Sequence, residues 1–210
     1  MYLSRIAIDI KKYESMKAMY NFARIHGMIE SSFPGERKRK LWRIDRLAGE
    51  DYLLLLSPDP PKTNNLPEQI GYDNSVWETK SYDGLLSRIT KDSKWHFRLT
   101  ANPTVSIISK GDKRGKVKAV TITHKQREWL KRQGSIKGFY IDDEKLNTFD
   151  VVKSEWKTFK KGGREIQILA VTFEGVLSVT DPETFCNTLI EGIGREKAYG
   201  MGLLTVMPYA

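Results

Sequence analysis

Residues 2–10, YLSRIAIDI, alternate apolar and polar side chains, the period-two signature of a strand with one buried face. In residues 13–31 the period lengthens: Met19, Phe22, Ile25 and Ile29 recur at spacings of three and four, which predicts one helix with a single apolar stripe. KLWRIDRL and DYLLLLS return to strand-like patterning, with AGED (48–51) as the turn of a hairpin. A Pro/Asn-rich loop (58–67), a short helix and the strand-like VWETKSY (76–82) follow. The second half repeats the order. WHFRLTANPTVSI (95–107) alternates as a strand that Pro103 bends or places at an edge. THKQREWLKRQG (123–134) reads as a helix, with Thr123 and Gln126 as a capping box and Gly134 as its stop. FDVVKSEWKTF and EIQILAVTFEGVLSV are long strands joined by the basic turn KKGGR. DPETFCNTLIEGI opens with an Asp cap and Pro182 at the first helical position, and Phe185, Leu189 and Ile193 line one face. A glycine-rich segment and LLTVMP complete the pattern.

Each half therefore reads β-α-β-β-α-β, an α+β chain of two tandem ferredoxin-like (RRM-like) domains. The polar stretch 84–94 is the expected junction, giving an N-terminal domain of residues 1–90 and a C-terminal domain of 91–210. Only the order of elements repeats; the residues themselves do not. Many functions use this fold, so the function must come from particular side chains.

Composition narrows the classes. The chain has 210 residues, 40% hydrophobic and 29% charged, enough to bury a core and far from the run of about 20 apolar residues a membrane span needs. The opening residues lack the basic, apolar and small-residue zones of a secretory signal. One cysteine, Cys186, excludes an intramolecular disulfide framework and fits a reducing cytoplasm; on its helix it reads as a small buried hydrophobe. The net charge of +9 is a weak pointer alone, but its distribution is informative. GERKRKLWR (35–43), KGDKRGKVK (110–118) and KSEWKTFKKGGR (153–164) each carry five cations and one acid within segments patterned to fold. A single basic run is ordinarily a solvated face; three point to nucleic acid or phosphate.

The expected chemistry uses no cofactor and no metal. The chain lacks a G-x-x-x-x-G-K-[ST] loop, H-E-x-x-H and C-x-x-C, and His26, His96 and His124 stand apart in sequence. RNA can be cut without metal, because the ribose 2′-hydroxyl can attack the adjacent phosphate when groups nearby move the protons and cations stabilise the transition state. Imidazole suits either proton-transfer role. His26 lies in NFARIHGMIESSFP near the end of the first helix, within the apolar arc between Met19 and Phe22. Periodicity alone favours a satisfied core histidine there. His96 alternates with Phe97 and Leu99 as a half-exposed strand residue, and His124 falls in the exposed first turn of a helix.

Taken in order, MYLSRIAI, IHGMIESSFP, FRLTANP, FEGVLSV…DP and GIGREKAYGMGLLTVMP resemble the CRISPR RNA-processing endoribonucleases of type I-E systems, the CasE family of the RAMP superfamily. The resemblance spans nearly the whole chain. It implies recognition of the repeat stem-loop in precursor CRISPR RNA and metal-independent cleavage at the 3′ side of the stem, leaving a 2′,3′-cyclic phosphate. It further implies retention of the guide RNA as a subunit of the Cascade complex. The family's catalytic histidine lies eight residues before the proline that follows the first helix, which places it at His26, with Pro34. Some members carry a tyrosine one turn earlier, where this chain has Ala23; that departure keeps open a non-catalytic RNA-binding subunit of the same fold. Tyr20 is about 120° away round a continuous helix and is a weak support candidate beside Lys160 and Lys161. The basic runs place RNA contacts at Arg37, Lys38 and Arg39, at Lys113, Arg114, Lys116 and Lys118, and at Lys153 and Arg164. In the terminal segment, Arg195 and Lys197 are read as RNA contacts, and Gly200 and Gly202 as packing positions. Stem recognition is expected to use phosphates and shape, since the major groove of A-form RNA is too narrow to read.

Overall fold

A computed structural model of the chain describes residues 1–108, 115–142 and 148–209. The first half runs β1 (Tyr2–Ala7), α1 (Tyr13–Met19), α2 (Phe22–Ser31), β2 (Leu41–Leu47), β3 (Glu50–Ser57), α3 (Asn65–Ile70), β4 (Glu78–Ser81) and α4 (Asp83–Leu86). Its sheet has the order β2-β3-β1-β4 with antiparallel pairing throughout. Ile6, Leu53 and Leu55 from the sheet are buried against Ile25, Met28 and Ile29 of α2 and Leu66 and Ile70 of α3.

The second half runs β5 (Lys94–Ala101), β6 (Thr104–Ile107), β7 (Lys116–Ala119), α5 (Thr123–Ile136), β8 (Phe139–Tyr140), β9 (Phe149–Lys161), β10 (Arg164–Val179), α6 (Pro182–Glu191), a 3-10 turn (Lys197–Tyr199) and β11 (Leu204–Pro208). The sheet order is β11-β5-β10, with β9 along most of β10 and β8 against Ser178 and Val179. Both halves thus have the ferredoxin-like strand order, first strand central and last strand on its outer side. The second adds the separate β6–β7 hairpin between β5 and α5.

Several expectations are corrected. The stretch 13–31 forms two helices, because Asn21 takes an extended conformation (φ −139°, ψ 93°) and its side chain accepts the Ala23 N–H at 3.1 Å. An asparagine offers the backbone this alternative to continuing a helix. His26 consequently sits in the middle of a ten-residue helix, not near the end of a long one. The capping box of α5 does not form: Ile122 occupies the cap, and Gln126 is buried with its amide donating to the Val120 carbonyl at 2.8 Å. Gly134 lies inside α5, where any side chain would meet the Phe139 carbonyl oxygen at 2.7 Å; the helix continues to Ile136. Residues 95–107 divide into β5 and β6 at Asn102–Pro103, the bend proline suggested. The Asp181 cap and Pro182 at the start of α6 are as read.

The halves are joined by a buried ion pair. Arg43, on β2, is buried together with Asp45. Its guanidinium donates through Nε and Nη2 to the two carboxylate oxygens of Asp45 at 2.7 and 2.6 Å. The remaining donors cross to the other domain, to the carbonyls of Arg98 and Leu203 at 3.0 and 2.7 Å and to Thr205 Oγ1 at 2.8 Å. Leu41 and Leu56 extend the same contact by packing into the second core. Removing one partner of a buried, hydrogen-bonded pair strands the other charge, at a cost of about 3–5 kcal/mol. Asp45→Ala is therefore expected to lower unfolding stability by about that amount in urea titration. Asp59→Ala, which breaks the solvated pair with Lys38, should leave the midpoint close to the parent's.

Candidate active site and RNA interface

Asn21 has a second function besides capping α2. Its side-chain amide donates to the Lys160 carbonyl at 3.1 Å, tying the end of β9 to the start of the helix. Ile25, Met28 and Ile29 turn one side of α2 into the core, and His26 lies at the margin of that stripe, half-buried. Beside it, Gly27 leaves open space where a side chain would stand.

The glycine-rich segment approaches from the other domain. Trp42 Nε1 donates to the Ala198 carbonyl at 3.2 Å and fixes the 3-10 turn. Gly200 follows at φ +76°, with space for a Cβ closed by the Trp42 ring at 2.9 Å. Gly202 lies at φ +89° against the Ile193 carbonyl at 2.6 Å. Both positions need a residue without a side chain, so they are packing positions, as read. This backbone drives Tyr199 inward to 7% exposure. Its ring meets Phe159 at 5.0 Å and the His26 ring edge-on at 6.5 Å between centroids. Lys161, at the end of β9, donates from Nζ to the Tyr199 hydroxyl at 3.0 Å.

Burial and neighbouring charges both act on the His26 imidazole. Arg37 Nη2 lies 3.0 Å from His26 Nε2. Guanidinium nitrogens only donate, so a hydrogen bond here requires Nε2 as the acceptor, which is the tautomer with its proton on Nδ1. Burial is the main force holding the His26 pKa below the usual imidazole value of 6.5; Arg37, Lys161 and Lys40 push the same way, and Glu30 opposes them. Glu30 is itself engaged by Lys40 at 3.1 and 3.2 Å and by Arg37 at 3.4 Å.

Of the cations singled out from the sequence, Arg37 and Lys161 face this ring. Arg37 belongs to the connection between α2 and β2, and its side chain is 73% exposed. Arg39, from the same connection, pairs with Glu191 at 3.3 Å, beside the glycine segment. Lys197, half-buried, has its pKa lowered chiefly by burial, with Arg39 and Lys137 adding to it and Glu191 opposing. Lys38 is turned to Asp59 at 2.8 Å. Arg195 is exposed on the glycine segment, and Lys160 and Arg164 are exposed at the β9–β10 turn. Lys153 lies further back on β9, paired with Glu155 at 2.9 Å. Lys116 and Lys118 ride on the β6–β7 hairpin; Lys113 and Arg114 lie outside the described residues. Tyr20 is not part of the cluster: it stands 83% exposed in the break between α1 and α2 and lines a groove with Trp156 and Lys157. Among the described residues, no hydrogen bond or ring contact joins it to His26. The phenol that does reach His26, Tyr199, was missed; its signal was an aromatic set between glycines.

Among the described residues, no group of three or more His, Cys, Asp or Glu side chains is placed to hold a metal ion, and no helix is long and apolar enough to cross a membrane.

The fold is two ferredoxin-like domains, with His26 of the first set against the glycine-rich terminal segment of the second. Residues 1–208 match the family described as "CRISPR associated protein", and the chain belongs to it. It is 28% identical to the CRISPR-associated endoribonuclease Cse3 of Thermus thermophilus, across 99% of this chain and all of that protein. It is also 28% identical to the Cascade subunit CasE of Escherichia coli, across 54% of this chain and 57% of that protein. The fold superposes on Cse3 bound to a 19-nucleotide RNA with a TM-score of 0.83 at 24% identity, covering 99% of this chain and 100% of that one. On Cas6e from E. coli the TM-score is 0.70 at 23% identity, each chain covered in full.

The charge arrangement has a direct spectroscopic consequence. The His26 resonance should titrate with a midpoint below 6.5 in NMR. Arg37→Ala should raise that midpoint by removing a nearby cation, and Glu30→Gln should lower it further by removing the one opposing charge.

Proposed function

We propose that the protein is a metal-independent endoribonuclease that cleaves CRISPR repeat RNA at the 3′ side of its hairpin stem. His26 is the proton-transfer residue. The observation that carries this reading is the His26 imidazole, its Nε2 3.0 Å from Arg37 Nη2 and its pKa lowered, at a seam where cations from both domains converge. In the reaction, a ribose 2′-hydroxyl takes the place of Arg37 as the donor to Nε2. Arg37 has the freedom to move onto the phosphate, being largely solvated. As His26 takes the proton, the 2′ oxygen bonds to phosphorus, the bond to the 5′ oxygen breaks, and that oxygen takes up a proton from solvent water. The products are a 2′,3′-cyclic phosphate and a 5′-hydroxyl. Arg37, Arg39, Lys161, Arg195 and Lys197 stabilise the added negative charge or hold the flanking phosphates. The remaining cations, on the β6–β7 hairpin and the β9–β10 turn, grip the stem through its phosphates.

Taking the domain division at residue 90, the histidine comes from the N-terminal domain and the lysines of β9 from the C-terminal one, so the site exists only when the two are docked. The relatives named as a CRISPR-associated endoribonuclease and as a Cascade subunit support a CRISPR RNA substrate and a place in a Cascade assembly. General acid–base help of this kind is worth roughly 10²–10⁴ in rate. The parent protein is expected to cleave a cognate repeat hairpin in EDTA. His26→Ala should lower the single-turnover rate by that factor while hairpin affinity stays within a few-fold. A parent protein that binds the hairpin and leaves it whole is an RNA-binding subunit and not a nuclease.

A further inference from the structure

The Lys161 side chain, a member of the cationic group near His26, is held by a side chain of the terminal segment. Its Nζ donates to the Tyr199 hydroxyl at 3.0 Å, and the ammonium lies 5.4 Å from the centre of the same ring. Tyr199 in turn cannot move freely. It is buried among Phe159, Ile168, Ala170 and Met201, and its backbone is pinned by the Trp42 bond to Ala198 and by the tight packing of Gly200 on Trp42. Ala23 packs against this same cluster. The small side chain at 23 leaves the aromatic contact with His26 to the terminal segment.

From this geometry we infer that Tyr199 is a positioning residue for cleavage: its hydroxyl anchors the Lys161 ammonium beside His26, so that the cation is in place before the scissile phosphate arrives. Tyr199 acts through Lys161 and not on RNA, because its own ring is almost fully buried. An untethered lysine on the exposed rim of β9 samples many rotamers, and fixing it on binding costs conformational entropy. The tether meets that cost during folding. The groups facing His26 are Glu30 on its own helix, Arg37 and Lys40 from the following connection, Lys161 from β9 and Tyr199 from the 3-10 turn. Releasing Lys161 therefore withdraws one positive charge from the ring and leaves the others.

This inference rests on His26 being the proton-transfer residue, and the two can fail separately. The experiment compares Tyr199→Phe, Lys161→Met and the double variant with the parent, using single-turnover cleavage of a repeat hairpin across pH 5–8 together with hairpin affinity. Tyr199→Phe keeps the ring and its packing, so it is expected to retain its thermal midpoint and hairpin affinity. Its plateau rate should fall about tenfold, and the rate-controlling midpoint should move to higher pH. Because the hydroxyl acts through the ammonium, the double variant should be no slower than Lys161→Met alone. A Tyr199→Phe enzyme with the parent's rate and pH profile would overturn the inference, as would multiplicative losses in the double variant. If His26→Ala cleaves as fast as the parent, the underlying reading of His26 fails instead, whatever the tyrosine does.

Discussion

The site depends on the docking of two sheets that neither domain forms alone, and the Arg43–Asp45 pair is the polar centre of that docking. A guanidinium with five donors is buried on β2, and its partners leave little freedom of placement: two carboxylate oxygens, two main-chain carbonyls and a threonine hydroxyl. Three of those acceptors belong to β5 and to the final segment of the chain. A small rotation between the domains would leave a buried donor unpaired, which costs more than the bond itself contributes. The pair therefore acts as a register device between domains. Trp42, the preceding residue on β2, carries the same register forward to the Ala198 carbonyl and to Gly200. Gly200 is needed because the terminal backbone must pass against an indole ring with no Cβ between them.

That register determines the electrostatics. His26 comes from α2, Arg37 and Lys40 from the connection after it, Lys161 from β9, and Tyr199 from the terminal turn. Like charges converge on one imidazole, and burial favours the same neutral form. Concentrating cations in this way costs folding stability through self-repulsion, and Glu30 and Glu191 relieve it locally. A polyanion relieves it further. An RNA backbone is thus a ligand whose binding reduces a repulsion already present in the folded protein.

The strand and helix pattern was legible because periods of two and about 3.6 are local properties, and both ferredoxin-like orders follow from them. The break at Tyr20–Asn21 was missed because the apolar spacing Met19, Phe22, Ile25 runs straight across it; an asparagine before an apolar run was the available cap signal. The false capping box at Thr123 failed for a tertiary reason, since Gln126 is buried under Val120. The expectation of a catalytic role for His26 rests on resemblance, because its periodicity is that of a core residue; the structure leaves it half-buried. Arg37 was read as an RNA contact, and its bond to Nε2 could not be read, because that contact depends on how the connection after α2 folds back. The Tyr199–Lys161 bond joins residues 38 positions apart through two turns, so no local pattern carries it.

The central claim is that the attacking group is the RNA's own 2′-hydroxyl, deprotonated at this seam. It is tested most directly by a repeat hairpin carrying one 2′-deoxynucleotide on the 5′ side of the scissile phosphate, compared with the all-ribose hairpin for affinity and cleavage. The account predicts equal binding and no detectable cut at that bond. Cleavage of the deoxy substrate at the same position would contradict it, since the nucleophile would then have to come from water or from the protein.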